Sequence, residues 1–416
     1  MKNLIIKKAL IFLFFTLSVT LLKAQSNLIW GKQFGSEMEE YAMNHLIDPA
    51  GNIFIAGKTT GSMNGNNLGK NDGFLTKIDK LGNIIWTRQF GTSGEEDIQW
   101  SALDSYGNIY ITGSTTGILN EKSFGNEDVF VIKYTPGGEI EWSKQFGSDS
   151  IDIAKGICTD TKGYIYLTGM TTGKLAQYTF GKTDFFIMKL DDKGNTISVS
   201  QFGTPLDDLA YAITRGPGSD IYICGTTWGV LAGENKGFID GFTGHFTDKL
   251  ELIKYSQFGT DGFDIAMILN IDEENNIYVG GSTSGNFGVQ QIGEGDAYLL
   301  KINEKGDILW NRQFGTTLND GIRGIDINPN FPGNILVSGI MSLPPGQGFI
   351  RMYKKDGALS WEKSFTAVGK NGGTSGKTVL SDKEGKIYHV GLTGADMFGT
   401  SSGDKDIYVI KLEIDN

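Results

Sequence analysis

Gln89-Phe90-Gly91 is one copy of a tripeptide that recurs along the chain, and its spacing decides the fold. Each copy begins 56 residues after the one before it. The six copies begin at Gln33, Gln89, Gln145, Gln201, Gln257 and Gln313. A constant period of this length is typical of chains built from one repeated supersecondary unit. Residues that recur in every unit are expected to hold a frame together, so the tripeptide predicts architecture rather than chemistry.

Each unit contains four short apolar segments separated by Gly, Asn, Asp or Pro. In the second unit they span 98–104, 108–113, 128–134 and 139–146. The alternation of apolar and polar residues and the β-branched and aromatic content favour strands. The expected unit is a four-stranded antiparallel meander with tight hairpins at one end. Two longer connections are expected at the other end, residues 113–127 and the stretch after each Gln-Phe-Gly, and we call this end the long-loop face.

Seven units are counted from the second segment, because a glycine follows its centre in every copy. These glycines are Gly57, Gly113, Gly169, Gly225, Gly281, Gly339 and Gly391. Glycine in all seven predicts a site where a neighbouring backbone leaves no room for a Cβ atom. The seventh unit has no Gln-Phe-Gly segment, whereas residues 27–35 form such a segment ahead of the first unit. We therefore predict an all-β, seven-bladed β-propeller, whose N-terminal strand completes the last blade and closes the ring.

The unit resembles a known repeat family. Three motifs carry the resemblance: Gln89-Phe90-Gly91, Gly107-Asn108-Ile109-Tyr110-Ile111-Thr112-Gly113 and Asp128-Val129-Phe130. They are similar to the SBBP repeats of bacterial seven-bladed β-propellers, and the similarity covers essentially all of the chain after residue 24. It implies the fold but little about activity, because that family is mostly secreted or surface proteins without an assigned reaction. Many relatives carry a C-terminal sorting or anchoring domain that this sequence lacks, so we expect a free secreted or periplasmic propeller.

The N-terminus has the features of a secretory signal peptide. Lys2, Lys7 and Lys8 precede an apolar run over residues 9–22, and the small residue Ala24 follows. The run is shorter than the roughly 20 residues that a membrane-spanning helix needs. We therefore divide the chain into a signal peptide, residues 1–24, and a single propeller domain, residues 25–416. Secreted or periplasmic location without membrane insertion is expected.

Charge and cysteine content narrow the classes of partner. The formal net charge of −11 disfavours nucleic acid and anionic bilayers, because both attract clustered Lys and Arg. Cys158 and Cys224 lie in different units at non-equivalent positions, so two buried thiols are expected rather than a disulfide. A glycan, a protein or a cation is compatible with this composition. We expect the chain to be a monomer.

Two columns of acidic residues recur on the long-loop face. The first column begins the innermost strand: Glu40, Glu96, Asp152, Asp208, Asp264 and Asp320. The second opens the third strand: Asp72, Asp128, Asp184, Asp240, Asp296 and Asp406. Such oxygens can attract Ca²⁺, which takes six or more oxygen ligands. The alternative is that each carboxylate accepts N–H bonds from its own loop. Repetition in six blades favours this structural role. We therefore expect no cofactor, with Ca²⁺ at the first column as the alternative.

Most tryptophans recur in the fourth strand, where we expect them to pack between blades. These are Trp30, Trp86, Trp142, Trp310 and Trp361. Trp100 and Trp228 fall outside this column and are candidates for ligand binding. Trp228 replaces a Thr or Ser in a long loop, so we expect it to be exposed and able to stack on a sugar ring. Packing against the enlarged fourth blade is the alternative for Trp228.

Residues that suggest catalysis are few. His45, His245 and His389 have no paired cysteine, HExxH motif or serine nucleophile elbow. Closure of the ring would bring His45 and His389 into adjacent blades. One position of the innermost strand varies while its neighbours do not: Met43, Gln99, Lys155, Tyr211, Met267, Arg323 and Lys377. Of these, Lys155, Tyr211 and Arg323 could point at a substrate, and variation at a tolerant position explains them equally well.

These observations favour a secreted, non-enzymatic scaffold that binds a glycan or a protein through the long-loop face. The alternative is a hydrolase or lyase, such as a carbohydrate-active enzyme, with its site at the mouth of the central channel. Fold alone does not choose between them, because one frame carries many functions. The sequence leaves catalysis open and favours its absence.

Overall fold

The computed structural model describes residues 26–120, 122–367 and 372–414. These residues form 28 strands, arranged as seven four-stranded antiparallel sheets. The fold class predicted from the sequence, an all-β seven-bladed propeller, is confirmed. The predicted signal peptide lies outside the described residues. In the ranges that are described, no helical segment has the length and hydrophobicity of a membrane span.

Each blade is a meander of strands that are consecutive in the chain, except the last. The chain begins with β1 (Ser26–Phe34). Blade one contains β2 (Glu40–Ile47), β3 (Ile53–Thr59), β4 (Asp72–Ile78) and β5 (Ile84–Phe90). Blade two contains β6 (Glu96–Leu103), β7 (Ile109–Thr115), β8 (Asp128–Tyr134) and β9 (Ile140–Phe146). Blade three contains β10 (Asp152–Thr159), β11 (Ile165–Thr171), β12 (Asp184–Leu190) and β13 (Thr196–Phe202).

The remaining blades follow the same order. Blade four contains β14 (Asp208–Arg215), β15 (Ile221–Thr227), β16 (Asp240–Phe246) and β17 (Leu252–Phe258). Blade five contains β18 (Asp264–Ile271), β19 (Ile277–Thr283), β20 (Asp296–Ile302) and β21 (Ile308–Phe314). Blade six contains β22 (Gly321–Asp326), β23 (Asn334–Met341), β24 (Gln347–Lys354) and β25 (Leu359–Phe365). Blade seven contains β26 (Thr374–Ser381), β27 (Ile387–Thr393) and β28 (Asp406–Ile414).

The N-terminal strand completes the seventh blade. β1 pairs with β28 in antiparallel register, with Trp30 opposite Lys411 and Phe34 opposite Ile407. The strand order of this sheet is β1-β28-β27-β26, so β1 takes the outermost place that β5 takes in blade one. The predicted closure of the ring is therefore confirmed, and closure removes the free sheet edges of an open array.

The glycine in the second strand of every blade is required by a close backbone contact. A Cβ atom on Gly113 would lie 2.0 Å from the carbonyl oxygen of Asp97 on the innermost strand. The same contact occurs at Gly339, where the Cβ would lie 1.9 Å from the oxygen of Gly321. No side chain fits at these distances, so the crowding predicted from the sequence is confirmed.

The hydrophobic core lies between neighbouring blades. One cluster joins Phe54 and Leu75 of blade one to Phe130 and Tyr134 of blade two. The tryptophan column belongs to the same packing. Trp142 lies 6.0 Å from the Tyr110 ring, measured between centroids, and its Nε1 donates to the carbonyl of Asp192 in the next blade. The predicted role of this column in blade packing is therefore confirmed.

On the long-loop face, six blades have one long connection rather than two, and in blade six the corresponding connection is shortened to residues 342–346. In blade two, residues 116–127 join the second and third strands. The connection after Gln-Phe-Gly, residues 91–95, is no longer than the hairpin at residues 79–83. The expectation of two long connections was wrong, because the innermost strand begins at the acidic residue, two residues earlier than the apolar pattern indicated.

Candidate functional site

The repeated tripeptide ties the long loop to the sheet. In blade two, Gln145 Nε2 donates to Asp128 Oδ2 at 2.8 Å and to the carbonyl of Gly117 at 3.0 Å. Its Oε1 accepts the backbone N–H of Leu119 at 3.0 Å. The glutamine-to-aspartate bond recurs in the other five copies, from Gln33, Gln89, Gln201, Gln257 and Gln313. The tripeptide and the second acidic column therefore act as one structural unit.

The first acidic column accepts hydrogen bonds from the loop that precedes it. Asp264 is fully buried and accepts the backbone N–H of Thr260 at 2.6 Å and the hydroxyl of Thr283 at 2.6 Å. Burial raises the pKa of Asp264 and of Asp208. The bond from the loop N–H recurs at Glu40, Glu96, Asp152, Asp208 and Asp320. This geometry fits the alternative in which each carboxylate holds its own loop by accepting N–H bonds.

In the described part of the chain, the first acidic column does not form a cluster of metal ligands with neighbouring side chains. Within the described residues, no group of three or more His, Cys, Asp or Glu side chains is arranged to hold a metal ion. Calcium binding by these six residues therefore stays a prediction, to be tested by adding the ion.

Every innermost strand carries a β-bulge at the position that varies among the blades. In blade three the pairing register shifts between Ala154 and Gly156, which leaves Lys155 outside the ladder. The corresponding shifts leave out Met43, Gln99, Tyr211, Met267, Arg323 and Lys377. A bulge bends the strand and re-aims the side chain of the extra residue. We call these seven residues the bulge ring.

The bulge ring lines one cavity in the central channel. Its volume is about 210 Å³, and all seven side chains contribute to the wall together with Trp100. Six ring residues lie three positions after the start of their strand, and Arg323 lies two positions after the start of β22, so the ring is about 7–10 Å inside the long-loop face at ~3.3 Å per residue. The structure thus brings together four residues singled out in the sequence: Trp100, Lys155, Tyr211 and Arg323.

Trp100 closes the channel beside the bulge ring. It packs against the core cluster of blades two and three and against the cluster of blades four to six. The equivalent positions elsewhere include Gly156, Ala212 and Gly324, which leave space for an indole. Trp100 therefore spans the channel and forms part of the cavity wall.

Positive charge dominates the cavity. Lys155, Arg323 and Lys377 line it, and no Asp or Glu is among its described lining residues. Burial lowers the pKa of Lys155 and that of Arg323. Burial and the neighbouring Arg323 lower the pKa of Lys377 to about 8. Lys377 was not among the site residues chosen from the sequence, although its charge at the varying position was an available signal.

Trp228 lies apart from this cavity and is partly buried, contrary to its expected exposure. The exposed aromatic residues of the long-loop face are others. Phe238 is 69% exposed, and its ring stacks on that of Phe263, which is 47% exposed, with 5.3 Å between centroids. Tyr178 is 64% exposed, and Phe180 beside it is also exposed. We call Tyr178, Phe180, Phe238 and Phe263 the aromatic patch. The sequence could have indicated this patch, because its large apolar side chains occur in otherwise polar loops.

His45 and His389 are held as neutral groups in the frame. His45 and His389 are fully buried, and burial lowers the pKa of each to about 3. His389 contacts the carbonyl of Thr378 and the hydroxyl of Tyr408, both at 3.0 Å, and His45 contacts the Thr378 hydroxyl. The predicted placement of His45 and His389 in adjacent blades is confirmed. Neither side chain is available to a substrate in solvent.

Comparison with protein families assigns the repeat. The family model of the SBBP β-propeller repeat matches residues 85–120 and 141–175. These two stretches are SBBP repeats. The resemblance predicted from Gln89-Phe90-Gly91 and the motifs that follow it is thus confirmed over these two stretches, which lie in a seven-bladed ring.

Curated relatives match only part of the chain. It is 23% identical over 198 residues to an uncharacterized WD repeat-containing protein of Acanthamoeba polyphaga mimivirus, covering 38% of this chain and 14% of that protein. It is 25% identical over 172 residues to the regulatory protein FlaEY of Caulobacter vibrioides, covering 37% of this chain and 18% of that protein. The chain thus spans less than one fifth of the length of each relative.

Two solved structures share the fold over almost the whole chain. The WD40 domain of Neurospora crassa Pan2 has a TM-score of 0.55 at 10% identity, covering 93% of this chain and 95% of that one. An ulvan lyase of a polysaccharide lyase family has a TM-score of 0.53 at 11% identity, covering 91% and 95%. At such identities the likeness concerns the fold alone.

Proposed function

We propose that this propeller is a binding scaffold that docks a protein partner on the long-loop face. The observation that carries the proposal is the aromatic patch. Its four exposed rings lie in neighbouring connections of the long-loop face, as two pairs, Tyr178 with Phe180 and Phe238 with Phe263. Exposed apolar patches mark interaction sites, and aromatic residues are enriched there. The names of the curated relatives, a WD repeat-containing protein and a regulatory protein, support an interaction role rather than a reaction.

The loops that carry the patch are held in place before any partner binds. Ile239, next to Phe238, forms a parallel bridge with Phe263 of the following blade. A similar bridge joins Thr183 to Asp207 between blades three and four. A surface that is ordered in advance loses less conformational entropy on binding. The rigid loops therefore suit a docking surface.

A capture experiment with the full chain tests the proposal. The chain is immobilised, and proteins and glycans bound to it are compared with those bound to F238S/F263S. The control variant, I197S/I253S, removes two equally exposed apolar side chains from outer strands. We expect the patch variant to lose at least tenfold in binding to a specific partner, while the control binds like the wild type. Equal binding by both variants would place the partner elsewhere.

Catalysis at the channel mouth is the second candidate. The observation in its favour is the bulge ring, in which Tyr211 and Lys377 lie in the same cavity. A lysine with a pKa of about 8 can exchange a proton near neutral pH, as a general base does. An assay of oligosaccharide cleavage with the wild type and K377M tests this candidate. Cleavage lost in K377M supports an enzyme, and no cleavage by the wild type supports the scaffold.

A further inference from the structure

The sevenfold ring places the three cations of the bulge ring on opposite sides of one cavity. Arg323 and Lys377 belong to adjacent blades, six and seven. Lys155 belongs to blade three, which faces the junction of blades six and seven across a ring of seven. The three side chains therefore point at a common space from two walls.

The cations have no counter-charge of their own in the cavity. None of the three side chains donates a hydrogen bond to, or forms an ion pair with, another described residue, and Arg323 Nε is buried without a partner. The carboxylates that act on Lys155 from a distance are Asp97 and Glu127. Asp97 pairs with Lys58 at 2.6 Å, and Glu127 accepts from Ser114. Asp97 also accepts from Gln99 Nε2 of the bulge ring, so each carboxylate is already paired with a group other than the three cations.

Unpaired cations inside an acidic protein are costly without a compensating anion. Charged groups removed from water are normally paired or hydrogen-bonded. An arginine fork with two lysines suits a planar carboxylate or a tetrahedral sulfate or phosphate. The other walls supply the side chain of Gln99, whose Nε2 already donates to Asp97, together with a hydroxyl from Tyr211 and the indole of Trp100. These groups can bond to and stack on a small ring that carries the anion.

We propose that the cavity is a binding site for a small oxyanion group, held by Arg323 and Lys377 from one wall and by Lys155 from the other. The site is independent of the docking surface proposed above, because it lies inside the channel. The oxyanion is either a free inorganic ion or the acidic group of a small organic molecule.

Calorimetric titration of the full chain at constant ionic strength tests the site. The probes are inorganic sulfate, inorganic phosphate and glucuronate, whose carboxylate is carried on a pyranose ring. The variants are R323M/K377M and K155M, since methionine already occupies the ring in blades one and five. The control is K249M, which removes one exposed positive charge from a hairpin at the opposite end of blade four.

We expect the wild type to bind at least one probe, R323M/K377M to lose at least tenfold in affinity, and K249M to bind like the wild type. Tighter binding of sulfate or phosphate would identify a free ion, and tighter binding of glucuronate an organic anion. If R323M/K377M fails to fold, K155M decides by the same criterion. No binding of any probe by the wild type, or equal binding by K155M, would overturn the proposal.

Discussion

At the scale of single residues, the bulge ring contains side chains that can vary without changing the strands that carry them. A bulge residue takes no part in the ladder, so its side chain can change without loss of strand pairing. Met43 and Met267 occupy this position in two blades, and Lys155, Arg323 and Lys377 in three others. The residues around it are fixed by contacts such as that of Gly113 with the Asp97 carbonyl. The channel can therefore acquire a new lining while the blade stays the same.

Lys377 is expected to destabilise the folded chain at neutral pH. Burial, with repulsion from Arg323, Lys58 and Lys405, lowers its pKa from 10.5 to about 8. The unfolded chain therefore binds more protons than the folded chain between these values, and the penalty is fully present below pH 8. We expect K377M to raise the free energy of unfolding by about 2 kcal/mol at pH 7, and less as the pH rises towards 10.5. Urea unfolding at pH 7 and pH 10 measures this, and an equal gain at both would contradict it.

The residues of the bulge ring could be singled out from the sequence, because this position varies among the blades. Their bulged backbone and their shared cavity could not be predicted. A varying column is equally consistent with a tolerant surface position. What turns Lys155, Tyr211 and Arg323 into neighbours is the shift in pairing register, which no residue type marks in the sequence. The exposure of Phe238 and Phe263 was not predicted for another reason. Both stand at positions that vary among the blades, whereas Trp228 breaks a column of Thr and Ser. Its partial burial shows that a departure from a repeat does not determine exposure.

At the scale of elements, each blade is a meander pinned by one glutamine. Gln145 links the fourth strand to Asp128 at the start of the third strand and to the loop at Leu119. Most strands could be predicted from the sequence, because the alternating apolar residues and the hairpin glycines allow few ways of pairing neighbouring strands. The start of β6 at Glu96 could not, since a buried acidic residue breaks the apolar pattern. Its burial is explained by the bonds that it accepts from the Thr92 N–H and from the hydroxyls of Thr92 and Thr115.

Removing the glutamine should weaken the blade. Gln145→Leu would leave the buried Asp128 carboxylate and the Leu119 N–H each short of a partner, and we expect a loss of about 2–3 kcal/mol in the free energy of unfolding. The control is Gln99→Leu, the same change in the same blade at a residue outside the ladder. Urea unfolding at pH 7 compares the two variants. Equal losses would mean that the tripeptide has no special role in holding the loop.

At the scale of the whole molecule, ring closure depends on the contact of blade seven with blade one. His45 in β2 contacts Thr378 in β26, and His389 in β27 contacts the same threonine. Both imidazoles are buried in this junction as neutral groups. The ring and its closing strand could be predicted from the sequence because the missing segment of the last unit is present at the N-terminus. Closure of the ring predicts that His45 and His389 lie in adjacent blades. That both are buried is seen only in the structure.

Acid should weaken this junction more than the others. The pKa of each histidine is about 3 in the folded chain and 6.5 when unfolded, so stability is fully present above 6.5 and is lost as the pH falls from there towards 3. We expect each to cost about 2 kcal/mol at pH 5. H45I/H389I, which installs apolar residues found in other blades, should lose less stability between pH 7.5 and pH 5 than the wild type. Identical losses in the wild type and in H45I/H389I would refute this role.

The central channel and the continuous long-loop face depend on β1 completing the seventh blade, because only a closed ring encircles the channel. Amide hydrogen exchange on the full chain measures this closure directly. We predict that the β1 amides that face β28 exchange as slowly as the β5 amides that face β4, within about tenfold. Exchange of β1 at the rate of an unstructured peptide, with β5 still protected, would show an open ring and contradict the account.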